Sequence, residues 1–143
     1  MRPAPDDPAT TVRSYIGALN RGDPDDIASY VSDEFINEHT ATLGETLTGR
    51  AAYRARLEGF LGKFRELHYE IEQTITEGAQ VAVAYRMSAR YQHAADDSVV
   101  DCPIQIRGMF RFRVELGRIV HRIDYWDSAE FQRQLQAGAI LKA

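Results

Sequence analysis

Gly117-Arg118-Ile119-Val120-His121-Arg122-Ile123-Asp124-Tyr125-Trp126-Asp127 is the stretch that decides the fold. Gly117 can supply the positive φ of a hairpin turn, and the apolar, β-branched run behind it predicts a strand. Strand side chains alternate, which places Val120, Arg122, Asp124 and Trp126 on one face and Ile119, His121, Ile123 and Tyr125 on the other. Each face then mixes apolar bulk with ionisable groups. An ordinary half-buried strand keeps its charges on the wet side, so this pattern points to a strand lining an internal polar cavity.

The segments before it share the same period of two. Leu67–Glu77, Gln80–Gln92, Ile104–Glu115 and Arg118–Trp126 predict four consecutive strands, joined at Glu77-Gly78, at the polar stretch His93 to Asp101, and at Leu116-Gly117. Consecutive strands with short links make an antiparallel, curved sheet. Further upstream the period becomes helical. Val12, Tyr15, Ile16 and Leu19 mark a helix over Ala9–Asn20, and Asp23-Pro24 caps a short second one. Phe35–His39 predicts a short strand and Leu43–Thr48 a polar loop. A third helix runs from Gly49 to about Phe64 with Tyr53, Leu57, Phe60, Leu61 and Phe64 on its apolar stripe. Asp127 caps a final short helix carrying Phe131 and Leu135. The expected architecture is α+β, with helices on one side of the sheet.

Size and charge narrow the function. A chain of 143 residues with 44% apolar content suits one domain, here residues 9–136, between a disordered tail at 1–8 and a C-terminal tail at 137–143. A net charge of −4, from 17 basic and 21 acidic residues, disfavours nucleic acid. Nothing approaches the roughly 18 apolar residues of a membrane span, and Met1–Pro8 has no signal-peptide core, which together predict a cytoplasmic protein. Cys102 is alone, which fits a reducing compartment and excludes an internal disulfide. His39, His68, His93 and His121 lack the spacing of a metal motif, and no Gly-x-Ser-x-Gly elbow is present. Neither a metal nor an organic cofactor is expected.

Three segments carry a resemblance: Tyr30-Val31-Ser32-Asp33-Glu34-Phe35-Ile36-Asn37-Glu38-His39, Thr48-Gly49-Arg50 at the start of a helix, and Gly117 to Asp127. Over roughly Val12 to Gln134 the chain resembles the nuclear transport factor 2-like superfamily, and within it the SnoaL-like polyketide cyclases, the limonene epoxide hydrolases and the ketosteroid isomerases. The resemblance implies a cone-shaped curved antiparallel sheet wrapped around three N-terminal helices, an apolar pocket for a hydrophobic small molecule, and a homodimer. It places Asp124 at the acid/base aspartate of the last strand. Arg86 falls at the arginine that bridges two aspartates in the epoxide hydrolases, although Ser88 replaces the second aspartate. Glu38 falls at the proton-shuttling aspartate of the isomerases, and a one-residue shift would put His39 at the histidine common in SnoaL-like chains. On a strand only one of the two can face the pocket.

These residues could run proton chemistry. Asp124 beside Trp126 would be partly desolvated, which raises its pKa, while Arg86 on a neighbouring strand would hold it ionised for work as a general base. His39, Arg107, Tyr15 or a protonated Glu38 could steady the enolate that results. Tyr15, Tyr53, Phe60 and Trp126 are core or pocket wall, able to stack on a ligand, and Arg107 could recognise a carboxylate or phenolate if its face of the sheet lines the pocket. Structural roles stand beside these: Asp124 as a partner of Arg86 or Arg122, and Arg86 as a salt-bridge residue. The leading expectation is a cofactor-free cyclase, isomerase or epoxide hydrolase acting on a polycyclic or terpenoid-like substrate. The alternative is a non-catalytic lipophilic-ligand-binding or dimerisation module of the same fold.

Overall fold

The computed structural model describes residues 7–41, 45–95 and 98–142. Helices α1 (Pro8–Arg21) and α2 (Pro24–Ala28) lead into strand β1 (Val31–His39), the two-residue strand β2 (Leu47–Thr48) and helix α3 (Arg50–Lys63). Strands β3 (Phe64–Glu77), β4 (Gln80–Ala95), β5 (Ser98–Glu115) and β6 (Arg118–Tyr125) follow, and helix α4 (Ser128–Lys142) ends the chain. The strands form one sheet in the order β2-β1-β6-β5-β4-β3. It is the expected single-domain α+β architecture, with a curved, open sheet.

The local signals work as read. The Asp23 side chain accepts from the N–H of Asp25 at 3.0 Å, and Pro24 opens α2. Asp127 accepts from Ala129 N and Glu130 N at 2.9 and 3.2 Å, capping α4. At the β5–β6 hairpin both Leu116 and Gly117 take positive φ, 52° and 74°, the mirror-image turn whose twist suits paired strands. Leu116 bears the backbone strain there with its side chain 94% exposed.

Several boundaries differ from the sequence expectation, among them the starts of β1 at Val31 rather than Phe35 and of β3 at Phe64 rather than Leu67. The polar stretch from His93 pairs as a hairpin, with β4 reaching Ala95 and β5 starting at Ser98; residues 96–97 at its tip lie outside the described residues. Of the proposed tail at 1–8, residues 1–6 lie outside the described residues, and Pro8 already begins α1. Residues 42–44 of the proposed loop lie outside them too, while Leu47–Thr48 pairs with β1. The C-terminal tail is helical to Lys142, because Gly138 lets α4 seat on β5: a Cβ there would lie 2.5 Å from the Cys102 sulfur.

Two departures in the sheet matter for the site. β1 runs parallel to β6, so the sheet is mixed rather than wholly antiparallel. The β5–β6 register also shifts between the pairs Arg113↔His121 and Val114↔Ile119, leaving Val120 as an extra, bulged residue. The bulge puts Ile119 on the inward side with Arg122 and Asp124, correcting the strict alternation read from sequence. Along β4 and β5, Val81, Val83, Tyr85, Ile106, Phe110 and Phe112 face inward to α1 and α3 and are buried. Arg86, Arg107, Arg111 and Arg113 alternate with them and therefore face outward.

Candidate active site

Two inward residues of β6 carry the chemistry. Asp124 and Arg122 are each only 7% exposed, and the parallel register sets His39 beside Asp124 and Asn37 beside Arg122. Since neighbours in register share a face, β1 turns Asn37 and His39 inward and Glu38 outward. Glu38 instead contacts His121 Nε2 at 3.0 Å on the outer side. The choice between Glu38 and His39 is therefore resolved in favour of His39.

Asp124 has one oxygen engaged and one open. The Tyr85 hydroxyl donates to Oδ1 at 2.6 Å. That contact needs Gly108: a Cβ at this position would sit 2.4 Å from the Tyr85 hydroxyl oxygen. Oδ2 faces His39 Nδ1 at 3.8 Å, too long for a hydrogen bond. His39 Nδ1 and Trp126 Nε1 are buried polar atoms without a hydrogen-bond partner. Groups of this kind are costly unless something completes them, and His39 Nδ1 faces a carboxyl oxygen that is also open.

The electrostatics follow from burial. Desolvation pushes the Asp124 carboxyl from 3.8 up to about 6, with the Arg122 charge and the Tyr85 hydrogen bond pulling part of the way back. Burial, then the charges of Arg122 and Arg56, lower His39 to about 4, so its imidazole is neutral at pH 7. Tyr85 is raised by burial and by the negative charge of Asp124, which keeps its hydroxyl protonated and donating. Burial works against the Arg122 charge, but the oxygens of Tyr15, Tyr53 and Asp124 outweigh it and its pKa is raised.

Arg122 is held by an inner polar cluster. Its Nε donates to Asn37 Oδ1 and its Nη1 to the Tyr15 hydroxyl, both at 2.9 Å, and the Tyr15 hydroxyl is in turn hydrogen-bonded to Tyr53. Phe110 and Tyr53 present their rings to the guanidinium, 5.1 and 5.9 Å from its carbon.

Several expected assignments are corrected by this geometry. Arg86 does not meet Asp124; it lies on the outer face 3.7 Å from Glu72, because it alternates with the inward Tyr85. Arg107 is outward for the same reason, 72% exposed and 3.2 Å from Glu72. Tyr15 and Tyr53 are fully packed core, tied to Arg122 rather than open to a ligand. Phe60 packs on Phe64 at 4.7 Å in an aromatic cluster beneath α4, away from the polar cluster. Trp126 closes the other end of that cluster, edge-on to Phe131, with its buried indole N–H left without a hydrogen-bond partner.

Sequence reasoning missed Tyr85, Asn37 and Gly108, and assigned Arg122 at most a structural part. Asn37 and Arg122 could have been found from the parallel pairing of β1 with β6, which sequence alone does not reveal. Two surface hollows, about 460 Å³ by Arg86, Arg107 and Glu130 and about 230 Å³ by Arg111, His121 and Ile123, open on the outer face rather than at Asp124. Among the described residues no group of three or more His, Cys, Asp or Glu could hold a metal ion, and no helix is long and apolar enough to cross a membrane.

Comparison with known proteins agrees with the fold. The family model of the SnoaL-like domain matches residues 12–122. Among solved structures, a candidate SnoaL-like polyketide cyclase from Shewanella denitrificans superposes with a TM-score of 0.79 at 19% identity, covering 91% of this chain and 97% of its own. An LEH-like epoxide hydrolase of M. tuberculosis gives 0.73 at 19% identity, covering 92% and 90%. A protein of ketosteroid isomerase-like fold from Catenulispora acidiphila, solved with trimethylamine, gives 0.75 at 15% identity, covering 87% and 90%. No curated protein matches the chain.

Proposed function

The chain belongs to the SnoaL-like domain family, and we propose that it is a cofactor-free acid/base enzyme in which Asp124 moves a proton for a hydrophobic, carbonyl- or epoxide-bearing small molecule. One observation carries this: a buried carboxyl whose Oδ1 is fixed by Tyr85 while Oδ2 faces His39, whose buried Nδ1 has no hydrogen-bond partner of its own. A carboxyl poised at about 6 is mostly ionised at pH 7, ready to take a proton, yet basic enough to hold and return it. The Tyr85 hydrogen bond fixes its orientation, which spares the reaction the cost of arranging it.

In the step proposed, Asp124 Oδ2 takes a C–H proton beside a carbonyl, and the electron pair of that bond passes to the carbonyl oxygen as an enolate. The neutral His39 is available to hydrogen-bond the oxygen, and Asp124 then gives its proton back to carbon or oxygen. Cyclisation and isomerisation differ only in where the enolate reacts. Hydration of an epoxide would use the same carboxylate on a water.

The test is deuterium exchange. Polycyclic ketones and diketones incubated with the protein in heavy water should take up deuterium beside the carbonyl, and Asp124→Asn should stop this while the fold is kept. Exchange that persists in Asp124→Asn removes Asp124 as the base.

A second reading is favoured by the interior itself. Tyr15, Phe35, Phe110 and Phe112 are less than 2% exposed and fill the space between sheet and helices, as in a module that serves assembly rather than catalysis. Ile75, Met109 and Tyr125 are 54%, 39% and 40% exposed on the outer sheet face, which would supply a homodimer surface under either reading. In the module case no carbon acid exchanges, and Asp124→Asn changes stability alone.

A further inference from the structure

Arg122 is the feature that proton transfer by Asp124 leaves unexplained. Its guanidinium is buried, and among the described residues no carboxylate lies within 4 Å of it. Its hydrogen-bond partners are the Asn37 amide and the Tyr15 hydroxyl, neither of them a carboxylate. A buried arginine normally meets a carboxylate, because an uncompensated charge in the interior is costly. The inward-facing carboxylate on its own strand is Asp124, two residues on, with its Cα about 7 Å along the strand and no direct ion pair to Arg122. At that separation the two interact through the low-dielectric interior without forming an ion pair.

Such spacing leaves room for charge to move while the cation stays still. A tight ion pair would fix the carboxylate in place and draw its proton affinity far down. A cation one step back favours negative charge anywhere along the inward face of β6.

Resting on the acid/base role of Asp124, we propose that Arg122 is the fixed counter-charge of the site: the site holds one negative charge at a time, on Asp124 when empty and on the bound molecule once Asp124 has taken its proton. The transfer breaks a C–H bond of the substrate and forms an O–H bond on Asp124, and the electron pair left behind resides on the substrate oxygen. Net charge in the interior is zero before and after, since the cation is constant and the anion only changes place. Two consequences follow. A neutral substrate fits the resting site, whereas a pre-formed anion competes with ionised Asp124. Removing the Asp124 carboxylate should turn the site into a receptor for a small anion, with Arg122 supplying the charge.

Formate, the size of the group removed, is the probe. Thermal unfolding of Asp124→Ala is followed against sodium formate, with sodium chloride and formamide as controls for salt and shape. Formate should stabilise Asp124→Ala saturably, at least tenfold more tightly than it acts on the wild type, and formamide should not replace it. In Asp124→Ala with Arg122→Gln the formate response should fall to the chloride baseline. Equal responses to formate and formamide, or a formate response that survives loss of Arg122, would overturn the assignment. Should the doubly substituted chain not fold, Asp124→Ala with Tyr85→Phe decides instead. Formate binding kept within threefold supports the charge of Arg122, and its loss assigns the binding to the tyrosine hydroxyl and overturns the proposal. Deuterium exchange that persists without Asp124 would remove the base while leaving the formate result standing, so the two ideas fail separately.

Discussion

The Tyr85 hydroxyl reaches Asp124 Oδ1 at 2.6 Å through space that exists only because position 108 carries no side chain. Three strands are thereby coupled at one carboxyl: β4 supplies the donor, β5 the gap and β6 the acid.

Gly108→Ala should therefore damage the site before it damages the fold. The added methyl cannot coexist with the hydroxyl 2.4 Å away, so Tyr85 must swing off or the strands must part. Overpacking of this kind costs about 1–3 kcal/mol. The expected result is a measurable loss in urea unfolding together with an Asp124 pKa above 6, since the Tyr85 bond is one of the effects that lower it. Tyr85→Phe should give the pKa rise without the overpacking loss.

Stability should depend on pH through Asp124 with a definite sign. Its folded pKa, about 6, lies above the 3.8 of an unfolded chain. The folded state therefore holds the proton more firmly, and the group favours folding below pH 3.8 and loses that contribution as pH rises through 6. Asp124→Asn should then be more stable than wild type at pH 7 to 8, by up to about 3 kcal/mol, with the difference vanishing near pH 4. Paired thermal melts across this range check it, and a difference independent of pH would contradict it.

His39 acts with the opposite sign. Lowered from 6.5 to about 4, it stays neutral when folded, and stability should fall as pH drops from about 6.5 toward 4 because the unfolded chain takes up the proton first. In His39→Gln this acid-side loss should shrink, as read from unfolding midpoints at pH 7 and pH 4.5.

The outward residues supply the control. Glu38→Gln, Arg86→Gln and Arg107→Gln remove only groups on the outer face, the last two sharing Glu72. Each should leave deuterium exchange within about twofold of wild type, and stability within about 1 kcal/mol, as expected for exposed pairs.

Much of this was legible in the chain. The change from helical to alternating period located the helices and the long strands, and the mixed faces of β6 together with the family resemblance pointed to Asp124. What the sequence did not show was relative placement. The parallel pairing of β1 with β6, a contact between strands far apart in the chain, decides that Asn37 and His39 point inward, and no local pattern encodes it. Arg86 was favoured over Arg122 because the resemblance put it at an arginine that meets the aspartate. Only alternation against the buried Tyr85 sends it outward, while the bulge at Val120 fixes the phase of Arg122. Gly108 was invisible for a similar reason: what it makes room for comes from another strand.

The most direct test is the titration of the Asp124 carboxyl itself, followed by carbon NMR of the labelled side chain in the intact protein. A midpoint near 6, moving upward in Tyr85→Phe and in Arg122→Gln, is the predicted result. A midpoint near 3.8, unmoved by either change, would mean a solvated carboxylate with no proton to manage.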